Sequence, residues 1–213
     1  MSEQSLEILT IGHSTLSYES FVALLRQASI TAVADVRTVP YSRHFAHFNK
    51  DTLCGELRMD GIAYVFLGGQ LGGRPTDKRF FCDGIADYEK MAATAEFAQG
   101  LARIVEGSRK YRIAMMCSEH DPLDCHRCLL VGRALHEKGM NVRHILGSGL
   151  IADHEKIEAQ LIEMSQLGGA DLFDVPEKRL AAAYRNRARK VAFTEHQRHD
   201  ERKAMRSRSV GTG

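Results

Sequence analysis

A chain of 213 residues holds one substantial core with room for an appendage, and its 44% hydrophobic and 26% charged content is that of an ordinary globular protein. No apolar run approaches the roughly 20 residues that span a bilayer. The opening MSEQSLEILTIGHS lacks the basic segment, apolar stretch and cleavage site of a secretory signal, so a cytoplasmic address and no membrane partner are expected. The net charge of +2 conceals a division: from Glu177 onward eleven Lys or Arg face four Asp or Glu, whereas the preceding residues carry 18 against 23. An acidic body thus carries a basic tail, suited either to nucleic acid or to lying back on the body. Five cysteines form an odd set without the density of a disulfide scaffold, and reduced thiols are expected.

In chain order, residues 6–11 read as a strand that breaks at Gly12, His13 and Ser14. A helix over 18–28 follows, with Phe21, Leu24, Leu25 and Ala28 on one face. Residues 30–36 give a second strand running into a loop over 35–40, and 61–67 a third that breaks into the glycine-rich run 68–74. A helix over 88–106 leads to a strand over 111–117, a polar loop, a helix over 125–138 and a last strand over 141–146. After Gly149 no further strand is expected. Residues 153–166 have amphipathic spacing, and 176–196 form a helix rich in Ala and Arg. This order predicts an α/β fold: a mostly parallel sheet with flanking helices in a single Rossmann-like layered domain over 1–150. A helical extension over 151–197 and a disordered basic tail over 198–213 complete it.

In an open parallel sheet, ligands bind outside the carboxyl ends of the strands, where loops vary and helix amino ends present free amides. The strand-end candidates are His13 and Ser14, then Asp35, Arg37, Ser42 and Arg43, then the run from Gly68 to Arg74 with Gly72 and Gly73, then Cys117 to Arg127, and His144 within the last strand.

The strings TIGHST at 10–15, DVRTVPYSRHFAHFN at 35–49, LGGQLGG at 67–73, MCSEHDPLDCHR at 116–127 and RHI at 143–145 resemble a bacterial family catalogued as domain of unknown function 488. The motifs recur in the family's order. The resemblance implies these site positions but no reaction.

The residues themselves suggest several chemistries. Cys117 sits where a thiol can be activated as a nucleophile, with His13 and Glu119 as proton-transfer groups and Asp35 as orienter of His13. Against this, Glu119, Asp121 and Asp124 raise a thiol pKa by repulsion unless His120, His126 or Arg127 compensates. Cys125, His126 and Arg127 open a helix suited to an anion, and Arg37, Arg43, Arg74 and Arg127 offer planar forks for phosphate or carboxylate. Each arginine also has a structural reading as the partner of Asp35, Glu119 or Asp124. Cys117, Cys125 and His126, with Cys128 as a further candidate, offer metal donors, but the seven-residue gap and the lack of a CxxC pair elsewhere match no common zinc spacing, and no metal or other cofactor is assigned. The glycine run lacks dinucleotide-binding spacing and instead permits close backbone approach.

In the last helix, Arg185, Arg187, Arg189 and Lys190 are the nucleic-acid candidates, with docking on the acidic body as the alternative. The leading expectation is an enzyme on an anionic, phosphate-bearing substrate such as a nucleotide or nucleic acid. A non-catalytic binding module and a metal-dependent enzyme stand beside it. Substrate, reaction and oligomeric state are not legible.

Overall fold

The computed structural model describes residues 6–166 and 175–197. Strand β1 (Glu7–Gly12) leads to helix α1 (Tyr18–Gln27), whose Ser17 cap accepts a hydrogen bond from the Ser20 amide and which buries Phe21, Val22 and Leu25. Then come β2 (Ala32–Asp35), α2 (Lys50–Met59), β3 (Ala63–Phe66) and the short α3 (Gly68–Leu71). A two-stranded hairpin, β4 (Phe81–Cys82) and β5 (Ile85–Ala86), precedes α4 (Tyr88–Ala92) and α5 (Ala95–Ser108). After β6 (Ile113–Cys117) the chain winds as a π-helix over Arg127–Gly132 and continues as α6 (Arg133–His136). The remainder is β7 (Asn141–Ile145), β8 (Ile151–Asp153), α7 (His154–Gln166) and α8 (Pro176–Val191).

The main sheet has the order β3-β2-β6-β1-β7-β8, with five parallel strands and an antiparallel edge strand β8 on β7. The expected α/β class is therefore present. Side-chain alternation divides the core into two layers. Ile113, Met115 and Cys117 of β6 face the layer that holds Leu101, Ile104, Leu129 and Tyr184, whereas Ala114 and Met116 face the layer with Phe21, Leu25, Leu53 and Leu57. Cys117 thus points toward α4, α5 and the π-helix, which is why its partners come from that side.

The structure departs from the sequence reading at definite places. The helix expected over 88–106 is two helices, because Thr94 stops the first and caps the second by accepting from the Phe97 amide at 3.1 Å. The stretch expected to be a glycine loop contains α3. The sheet gains β8 after Gly149, a strand of three residues, too short to show a period. The tail over 198–213 lies outside the described residues.

The carboxyl-terminal elements belong to the same packed body. Tyr184 of α8 is buried and joins a polar chain across the core: Thr10 Oγ1 to His144 Nδ1 at 2.8 Å, His144 Nε2 to His154 Nδ1 at 2.9 Å, and His154 Nε2 to the Tyr184 hydroxyl at 3.0 Å. Tyr184 in turn donates to Glu158 Oε1 at 2.9 Å. Beyond α8, the Ala86 amide donates to the Phe193 carbonyl and the Glu195 amide to that of Gly84, both at 2.8 Å, so residues 193–195 add to the hairpin edge.

Candidate active site

The loop after β6 crosses directly over the end of β1. The His13 and Ser14 amides donate to the carbonyls of Cys117 and Ser118, each at 2.9 Å, and a Cβ on Gly12 would lie 1.9 Å from the Glu119 carbonyl oxygen. Glycine is required at position 12 for that approach. Arg127 fixes the loop from below. Its fully buried guanidinium donates to the carbonyls of Glu119 at 2.7 Å and His120 at 3.0 Å. Asp121 then caps the turn Pro122–Asp124 by accepting from the Leu123 amide, which delivers Cys125 and His126 beside Cys117.

Four side chains converge there. Cys125 Sγ lies 2.8 Å from Glu119 Oε2 and 4.0 Å from His126 Nδ1, and Cys117 Sγ lies 3.6 Å from the same nitrogen. All the donor atoms of Cys117, Glu119, Cys125 and His126 fall within 4.8 Å of one another. His126 Nε2 is 2.9 Å from the Val36 carbonyl, which only accepts; Nε2 therefore carries the proton, and Nδ1 turns to the sulfurs. The ring is held on its other side by Gly73, where a Cβ would stand 2.6 Å from Cγ.

Electrostatics divide the two thiols. Burial pushes the Cys117 thiol up, helped by its hydrogen bond to Cys125 and by the negative charge of Cys125 and Glu119. Burial also raises Cys125, but the bond from Cys117, the charge of Arg127 and the bond from His126 outweigh it and hold this thiol well below its ordinary range. Negative charge therefore settles on Cys125. Burial and that charge push the Glu119 carboxyl up, and the carboxyl stands in short contact with the Cys125 sulfur.

The cluster forms part of the floor of an open cleft of about 430 Å³, to which Cys117, Glu119 and His126 contribute, as do Arg37 and Arg74. The sequence-derived candidates are sorted by this geometry. Asp35 is not placed to orient His13: both its oxygens are taken by Arg37, at 2.9 and 2.6 Å, and the Tyr64 hydroxyl donates to it at 2.7 Å. His13 Nδ1 donates to the Ser14 carbonyl at 3.0 Å, and Nε2 faces Arg37 at 3.3 Å. Burial and the Arg37 charge lower the His13 pKa to about 4, and its hydrogen bond to Cys117 is a backbone one. Ser14 serves the loop by its backbone. Ser42 closes its own turn, its hydroxyl accepting from the amides of His44 and Phe45, and Arg43 is exposed outside the cleft. Gly72 packs on Thr38, while Arg74 lies over the Phe193 ring at 5.3 Å.

Arg127 bonds backbone carbonyls, not the acidic side chains expected as its structural partners. Of the four arginines expected to converge, Arg37 and Arg74 reach the cleft. In α8, Arg185 meets Glu89, Arg187 meets Asp124 and Arg189 meets Asp83, while Lys190 is exposed; this is the docked arrangement. Sequence reasoning missed Tyr88, Thr38 and Phe193 as cleft residues. Nothing local marks them, since each reaches the cleft through tertiary packing.

These features define an open parallel α/β domain with a thiol, imidazole and carboxylate centre at the carboxyl edge of its sheet. The chain belongs to the family described as Domain of unknown function DUF488, whose model matches residues 17–134, more than half of the sequence. No curated protein and no solved structure matches the chain. The matched segment contains the four-residue centre, while β7, β8, α7, α8 and Phe193 lie beyond it. Among the described residues, no helix is long and apolar enough to cross a membrane.

Proposed function

We propose that the protein is a zinc-dependent enzyme acting on a small anionic, phosphate-bearing substrate in this cleft. The observation that carries the reading is the convergence of the Cys117, Cys125, His126 and Glu119 donor atoms within 4.8 Å, with His126 Nδ1 aimed inward by the Val36 carbonyl. Two sulfurs, one imidazole nitrogen and a carboxylate suit zinc, and a backbone carbonyl on the far ring nitrogen is the usual outer support of a ligating histidine. Cys117, Cys125 and His126 would hold the ion, with the Glu119 carboxylate beside them. When bound, zinc would lower the pKa of a coordinated water and polarise a substrate oxygen. Glu119 would hold or move a proton beside the substrate, and Arg74 brings positive charge to the wall, while the Arg37 charge is balanced by Asp35.

Cobalt titration of tag-free, chelator-treated protein tests this. The expected result is a thiolate-to-cobalt charge-transfer band and a rise in melting temperature, with the band lost in Cys125→Ser and His126→Ala. Absence of both signals in the wild-type protein removes the metal reading.

A second reading, Cys117 as a nucleophile, is favoured by its place on the cleft wall. It expects limiting iodoacetamide to modify Cys117 before the exposed Cys54 and Cys82. The metal reading expects the reverse until a chelator is added.

A further inference from the structure

Tyr88 opens α4, behind the Asp87 cap, whose carboxylate accepts from the amides of Glu89 and Lys90 at 3.0 and 3.1 Å. The residue is only 9% exposed, and its ring belongs to the core layer that also holds Cys117, Cys125 and Leu129. It nevertheless lines the cleft, and the charged groups that act on its hydroxyl are Cys125, Cys117, Glu119 and Arg74. No group among the described residues hydrogen-bonds that hydroxyl. The hydroxyl is not among the sealed polar atoms, so it opens on the cleft, where it stands as a donor within reach of a polar ligand.

We infer that Tyr88 is a substrate-binding residue whose hydroxyl donates a hydrogen bond to an anionic oxygen of a ligand in the cleft that Cys117 and Arg74 also line. The inference rests on the cleft being the substrate site proposed above, and it names the ligand chemistry: an oxyanion of the phosphate type. The fold already aims the donor and leaves it unused. A substrate oxygen completes the arrangement, and Arg74 shares the charge.

Tyr88→Phe removes the oxygen and nothing else. Because that oxygen has no protein partner, the melting temperature and zinc content of the variant should equal those of the wild type. Inorganic phosphate is the probe, titrated calorimetrically into zinc-loaded and chelator-treated protein. Phosphate should bind the wild type, and Tyr88→Phe should weaken it about ten-fold, as expected for one hydrogen bond to a charged acceptor. Equal affinity in the two proteins overturns the inference, as does absence of phosphate binding to the wild type. A ten-fold loss that is indifferent to zinc supports Tyr88 and counts against the metal reading instead.

Discussion

Arg127 illustrates how a residue type announces a site without announcing its role. From the sequence it reads equally as an anion clamp or as the partner of a nearby acid. The structure makes it a brace: two of its nitrogens hold the carbonyls of Glu119 and His120, while Nε has no partner among the described residues. Arg127→Lys keeps the charge but loses the fork, so it should destabilise the fold by about 1–3 kcal/mol, read as a lower midpoint in urea. An unchanged midpoint would return Arg127 to the ligand-binding role. Gly73 offers a finer probe. A Cβ there meets the His126 ring, so Gly73→Ala should reduce zinc affinity by about 10–100-fold, as loss of an outer support does; competition with a chromogenic chelator measures it. Cysteine, histidine and glutamate of the centre were legible as residue types in one short segment. Their mutual geometry was not, because the turn that folds Cys125 back onto Cys117 is held by Arg127, and the His126 ring is set by the Val36 carbonyl just past β2. The Asp35–Arg37 pair was legible only as one of two alternatives, because the sequence offered His13 and the arginines alike as partners of Asp35 and the geometry that selects Arg37 is local to the end of β2.

At the scale of elements, the chain Thr10–His144–His154–Tyr184–Glu158 ties β1, β7, α7 and α8 together through imidazoles that burial keeps neutral. Burial, and then the charge of nearby His136, lowers the His154 pKa from 6.5 to about 3, and burial likewise depresses His144. The groups facing His154 are His144 on β7, His136 on α6, Glu158 on α7 and Tyr184 on α8. The unfolded chain takes up a proton near pH 6.5 that folded His154 refuses. Its contribution is therefore complete above that pH and declines toward pH 3, by about 1.4 kcal/mol per unit. Urea midpoints followed from pH 7 to pH 4 should fall more steeply for the wild type than for His154→Gln; parallel slopes would show that His154 titrates normally.

The same packing decides the status of the carboxyl-terminal helix. Its basic face reads from sequence as a separable appendage, yet Ala183, Tyr184 and Ala192 are buried and Phe193 walls the cleft. Deleting residues 175–213 should thus lower the melting temperature and weaken phosphate binding together. Helix α2 was missed because Leu53 and Leu57 are its only buried side chains and Gly55 lies between them.

For the whole molecule, the alternation of strands and helices was readable because each of the five parallel strands carries its own apolar run. The two-residue and three-residue strands were not, since they persist only by pairing with a neighbour. The sheet order places β6 between β2 and β1, so the loops that leave these three strands meet at one edge, and all four residues of the centre lie at the end of β6 and on the loop that leads to the π-helix. That convergence underlies the central claim, that Cys117, Glu119, Cys125 and His126 form a zinc centre. The most direct test is elemental analysis of protein purified without an affinity tag, with Cys125→Ser as the control. The account predicts about one zinc per chain in the wild type and loss of most of it in the variant. Wild-type protein that is folded, fully reduced and free of zinc, and that takes none up on addition, would contradict it.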